Sequence, residues 1–119
     1  MGNQDVIDRD VLGSLLEAVG GDGEFLAELL DTYYVDTPQQ FATMHNALSS
    51  DNAEEFRRAA HSLKSNSANF GAIGLSEKAK KLEDLGKSGT LDQAKAPLQD
   101  AEAEYSKVKT ALETIQKDG

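Results

Sequence analysis

From Val11 to Ile115 the apolar residues recur at three- and four-residue intervals, and the runs are interrupted only by glycine or by short polar stretches. That spacing is the period of an α-helix with one buried face. Alternation of period two is weak, proline is rare, there is no tryptophan, and β-branched residues are scattered, so strands have little support. Amphipathic helices with short connections predict an all-α chain, an antiparallel four-helix bundle with a short extra N-terminal helix. With 119 residues, the chain suits a single domain over 1–119, its bundle core running roughly from 8 to 115.

The helix boundaries are written in capping residues. Asp8 is an N-cap candidate for a first helix carrying Val11, Leu12, Leu15, Leu16 and Val19, and Gly20-Gly21 ends it. Asp22 caps a second helix with Phe25, Leu26, Leu29, Leu30 and Tyr33 on its apolar stripe. Thr37, Pro38 and Gln40 then form a capping-box pattern with proline at the first helical position. The pattern fits either a bend there or one long kinked helix through Phe41, Met44, Ala47 and Leu48. Asp51 with Glu54 opens the next helix in the same way, and Gly71 stops it near Phe70. A further helix with Leu75, Ala79, Leu82 and Leu85 ends at Gly86 or Gly89. The last stretch, about 91–117, contains Pro97, which predicts a break or kink near its first turn.

Composition narrows the function. Lys and Arg number 12 against 21 Asp and Glu, a net charge of -9, which argues against nucleic acid as a partner. Cysteine is absent, so disulfides and thiolate metal sites are excluded. No apolar run approaches the ~18 residues of a membrane span, and the N-terminus lacks a signal-peptide pattern, so a cytoplasmic location without membrane attachment is expected. The charge is uneven. Residues 56–87 hold seven bases (Arg57, Arg58, Lys64, Lys78, Lys80, Lys81 and Lys87) against three acids (Glu77, Glu83 and Asp84). A basic surface of this kind suits docking of something negatively charged.

One of two histidines lies inside this basic stretch, in AHSLKSNSANFGA from Ala60 to Ala72. On a helical wheel Ala60, Leu63, Ser67 and Phe70 fall within about 40° of Phe56 and form the buried stripe. His61, Lys64, Ser65, Ala68 and Arg57 fall between about 80° and 180° away, so His61 is expected at the border of core and solvent. Its neighbours one turn on are small, which leaves the ring reachable. Lys64, at i+3, is placed to keep the imidazole neutral by like-charge repulsion and then to pair with a phosphoryl group on it. Small neighbours, a nucleophilic ring and an anion-holding lysine suit covalent phosphoryl transfer. His45, followed by Asn46 and without a lysine at i+3, has no such setting. A bundle metal site would need Glu-x-x-His pairs, but Ala42 and Arg58 stand three residues before the histidines, so no metal is expected.

The stretch RRAAHSLKSNSANFGA resembles the motif of histidine phosphotransfer (HPt) domains, Ala-His-x-Leu-Lys-Gly-x-x-x-x-x-Gly-Ala. Ala60, His61, Leu63, Lys64, Gly71 and Ala72 match at the family spacing, and GGDGEFLAELL and LEDLGKSG resemble the flanks of bacterial members. The resemblance runs from about Asp8 to Ile115. It implies that His61 is the phosphorylated residue and Lys64 its partner. Arg57, Arg58, Ser65 and Ala68 would then lie on the docking surface, while Gly71 and Ala72 are structural. It also implies response-regulator receiver domains and a hybrid histidine kinase as partners, and a monomeric carrier with no cofactor of its own, Mg²⁺ coming from the receiver. Ser65 departs from the family's usual glycine. The chain has no Walker-type phosphate loop and no segment that reads as an ATP-binding kinase domain, so it is expected to carry phosphate rather than to act as an enzyme generating it. Two other readings share the motif: a helical module that binds a receiver without being phosphorylated, and the phosphate-accepting domain of a chemotaxis-type kinase.

Overall fold

A computed structural model of the chain describes residues 6–118. Among the described residues five α-helices follow one another: α1 (Arg9–Ala18), α2 (Gly23–Ser50), α3 (Ala53–Asn69), α4 (Ile73–Ser88) and α5 (Lys95–Asp118), with a 3₁₀ turn at Leu91–Gln93 before the last. The four longer helices form the bundle, and their short links make sequence neighbours antiparallel. α1 packs against α2 and α3. The core fills the space between the apolar stripes, with Leu30, Met44, Phe56, Leu63, Leu75, Leu82, Leu98, Val108 and Leu112 fully enclosed. Among the described residues no helix is long and apolar enough to cross a membrane.

Most helix ends follow their local chemistry. Asp8 accepts from the amides of Asp10 and Val11 at 3.0 and 3.4 Å, and Asp22 from those of Glu24 and Phe25 at 3.0 and 3.1 Å. Gly89, at φ 73°, closes α4, so Gly86 lies in the helix interior. Pro97 sits in the first turn of α5, where its missing N–H costs nothing.

One boundary differs from the sequence reading, and one that the sequence leaves open is decided. The N-cap of α3 is Asn52, which accepts from the Glu55 amide at 3.1 Å, and not Asp51. Asp51 instead ends α2 in the left-handed region at φ 55°. A link this short needs one residue to reverse the chain and another to cap the next helix, and the two polar residues divide those roles. The open boundary is at Pro38, where the chain runs on as one long helix. α2 continues through it, and Thr37 is fully buried rather than acting as a cap. Tyr33, Phe41 and Met44 bury one face on both sides of the proline. Burial of large side chains stabilises by roughly 1.5–3 kcal/mol each, which together outweighs the ~3 kcal/mol a proline costs in a helix. One polar pair crosses the core at this level: the hydroxyls of Tyr33 and Ser67 are 2.9 Å apart and tie α2 to α3.

Candidate functional site

α3 buries Phe56, Ala59, Ala60, Leu63 and Ser67, the stripe read from the wheel. The opposite edge of that stripe lies along the seam with α4. There the His61 side chain is 55% exposed and the Lys64 side chain 30%. Both reach the same residue of α4, Glu83, which is only 3% exposed. His61 Nδ1 lies 2.8 Å from Glu83 Oε2, and Lys64 Nζ donates to Glu83 Oε1 at 2.7 Å. The Ser76 hydroxyl donates to the Lys64 carbonyl at 3.0 Å, a further tie between the two helices on this seam.

The Lys64 ammonium, and after it the His61 hydrogen bond, hold the Glu83 carboxyl below the usual carboxylate range against the opposing effect of burial. An ionised carboxylate only accepts, so the proton of this bond sits on Nδ1. In the neutral ring Nε2 then carries the lone pair, on an exposed side chain. The site thus holds a fixed tautomer, an outward nucleophilic nitrogen, and a buried anion beneath the ring. The lowered value has a stability consequence. The carboxylate's contribution is fully present above its unfolded value of about 4.3 and fades as pH falls through the lower folded value. Glu83→Gln should therefore flatten the acid limb of stability, read as urea midpoints between about pH 2 and pH 6. An acid limb as steep as in the parent chain would show that Glu83 does not carry it.

Glu83 does not stand out in the sequence. The available signal is an acid flanking the apolar face of α4, next to Leu82 and three residues before a buried glycine. A carboxylate in that position requires a partner. Lys64 also differs from expectation, since its charge is matched by Glu83 and does not stand alone beside the ring.

The basic stretch is largely paired as well. Arg57 grips Glu54 with two bonds, at 3.0 and 2.8 Å, and Arg58 reaches the same carboxylate at 3.2 Å. Lys78 pairs with Asp100 at 2.7 Å and Lys80 with Asp84 at 3.2 Å. Glu54 lies just before the basic window, one turn ahead of the two arginines on α3, and Asp100 reaches Lys78 from α5. The surface is less cationic than the linear count implied. Ser65 is exposed and Ala68 half-buried, both on the α3 face that carries His61. Gly71 takes φ 82° immediately after the C-cap Phe70, and Ala72 is fully buried. His45 lies away from this seam and pairs with Glu102 of α5 at 2.9 Å.

The Hpt domain family model matches residues 28–118. Among solved structures, histidine-containing phosphotransfer protein B (HptB) from Pseudomonas aeruginosa PAO1 superposes with a TM-score of 0.87 at 31% identity, covering 96% of each chain. No curated protein sequence matches the chain.

Proposed function

The chain belongs to the Hpt domain family, and on that premise we propose that it is a phosphorelay carrier whose His61 takes a phosphoryl group from a receiver-domain aspartate, or from a histidine kinase, and passes it to another receiver. The observation that carries this reading is the exposed His61 ring whose Nδ1 is held by buried Glu83. Nε2 attacks the phosphorus of an aspartyl phosphate in line. An N–P bond forms, the O–P bond to the aspartate breaks, and the aspartate leaves as a carboxylate. Positive charge develops on the imidazole as its lone pair is used, and the fixed Glu83 carboxylate lies where that charge appears. Nδ1 keeps its proton throughout. Mg²⁺ belongs to the receiver in this scheme and supplies Lewis-acid stabilisation of the phosphoryl oxygens.

Lys64 faces the ring from one turn away and is partly exposed, so its ammonium can turn from Glu83 to the arriving phosphoryl oxygens. The exposed Ser65 and half-buried Ala68 leave room above α3 for the receiver's aspartate. Arg57 and Arg58, both held by Glu54, line the approach from the N-terminal side of α3.

The test is incubation with a panel of phosphorylated receivers, followed by peptide mapping of the label. The expected label is acid-labile, alkali-stable and confined to the peptide containing His61. Binding of a receiver with no label under any donor would establish instead a module that acts by docking alone. In the same assay Lys64→Ala should fold normally but transfer about tenfold more slowly or lose its phosphate faster, as expected for one charge-assisted contact. Unchanged transfer and phosphate lifetime would remove Lys64 from the site.

A further inference from the structure

Beside the site, α3 and α4 touch backbone to side-chain position. A Cβ built on Gly86 would lie 2.9 Å from the Cβ of Arg57 and 3.0 Å from its Cα and N. Real Cβ atoms do not approach so closely, and two of these three atoms are backbone, which cannot rotate away. Gly86 is buried, lies inside α4 and has an ordinary helical backbone, so no turn requires it. Glycine in a helix interior is less favourable than alanine. What the position gains is the close approach.

That approach is one rung from the chemistry. Gly86 follows Glu83 by one turn of α4, and Arg57 precedes His61 by one turn of α3, so in an antiparallel pair the two contacts are successive along one seam. The Glu83 carboxylate reaches both partners at 2.7–2.8 Å. A separation of the helices by several tenths of an ångström would stretch both bonds toward the limit of useful geometry. It would also admit water to a carboxylate that is now buried, which weakens its hold on the ring.

We propose that Gly86 is a positioning residue: by letting α4 close onto Arg57 it sets the helix separation at which Glu83 fixes the His61 tautomer. The proposal rests on the phosphocarrier reading only for its rate consequence, because the ring geometry is measurable without phosphate. The bond expected to loosen is the one between Nδ1 and Glu83. Gly13, on α1, has open space around its Cβ position and serves as the control.

The experiment is ¹⁵N NMR of the His61 ring in the unphosphorylated chain, together with the rate of phosphoryl uptake from a phosphorylated receiver. In the parent chain the ring nitrogens should report Nδ1 protonated and Nε2 bare. Gly86→Ala should show a mixture of tautomers and about tenfold slower uptake, the effect of losing one well-aligned orienting contact. Gly13→Ala should leave both unchanged. A parental tautomer and parental rate in folded Gly86→Ala would overturn the proposal. Should that variant not fold, Arg57→Gly added to it removes the nearest atom while the two backbone contacts remain. Mixed tautomers in that double variant, beside a parental tautomer in Arg57→Gly alone, support the proposal, and a parental tautomer in both overturns it; the ring signal alone is read in these variants, because Arg57 also lines the receiver's approach. Phosphate uptake by a chain carrying His61→Gln would defeat the reading of His61 as the phosphorylated residue while leaving the ring result standing.

Discussion

His61→Gln should take up no phosphoryl group, and against that zero Glu83→Ala should accept one about a hundredfold more slowly than the parent chain. Glutamine keeps the length of the side chain but has no lone-pair nitrogen of comparable nucleophilicity. The Glu83 effect has two sources. Without the carboxylate, Nδ1 loses its acceptor, so the ring rotates and exchanges tautomers, and part of the population presents a protonated Nε2. The anion that faces the developing imidazolium is also gone. Together these are worth about 2.7 kcal/mol in the barrier, the equivalent of a hundredfold. Glu83→Gln separates them. Its amide oxygen can accept from Nδ1 and restore the tautomer, but it carries no charge, so its rate should fall between those of the alanine variant and the parent. Receiver binding should change little in both Glu83 variants, because Glu83 is buried beneath the surface a partner would touch. Phosphoryl uptake is followed as radiolabel at a fixed concentration of phosphorylated receiver. Parental rates in Glu83→Ala would mean that Glu83 neither orients nor charges the ring, and label on the His61→Gln chain would place the chemistry elsewhere.

The contrast between His61 and Glu83 shows which parts of this site a sequence can reveal. His61's place on the helix flank follows from the positions of Phe56, Leu63 and Phe70 alone, all within one helix. Asp8, Asp22 and Gly71 are legible for the same reason, since capping is settled within a few residues, whereas Gly86 and Gly89 both offer an end to α4. Asp51 and Asn52 are easily interchanged because both suit either role and only the path of the chain between α2 and α3 assigns them. Pro38 is ambiguous because its local preference opposes a burial pattern running across it. Glu83 depends on how α4 lies against α3, a relation between helices that no periodicity within one of them contains. The apparent basic patch fails for two reasons. Asp100 approaches Lys78 only in the folded chain, whereas Glu54, one turn before Arg57 and Arg58 on the same helix, is left out only because the count begins at Phe56.

The connection after α3 is where the fold should be most sensitive to a single methyl group. Gly71 has φ 82°, and a Cβ there would lie 2.5 Å from the carbonyl oxygen of Asp8 and 3.3 Å from its carbonyl carbon and amide nitrogen. The contact is reinforced by the Asp8 amide, which donates to the Gly71 carbonyl at 2.7 Å. Asp8 in turn caps α1, and Val6 and Ile7 are buried just before it. Gly71→Ala therefore meets three costs at once. The left-handed backbone disfavours a side chain by roughly 1–2 kcal/mol. Separation from Asp8 loses a hydrogen bond worth about 1 kcal/mol, and the shift strains the seating of α1. A loss of about 3 kcal/mol is expected, which for a domain of this size lowers Tm by about 10–15 °C. Gly89→Ala supplies the comparison, since Gly89 has nearly the same φ, 73°, with nothing near its Cβ position. It should cost only the backbone preference, about 1 kcal/mol, and the difference between the two melts isolates the contact with Asp8. Equal melting temperatures would show that α1 yields freely at this joint. Because His61 sits more than two turns away along α3, Gly71→Ala should still accept phosphate at temperatures well below its Tm, which distinguishes a loss of fold from a loss of chemistry.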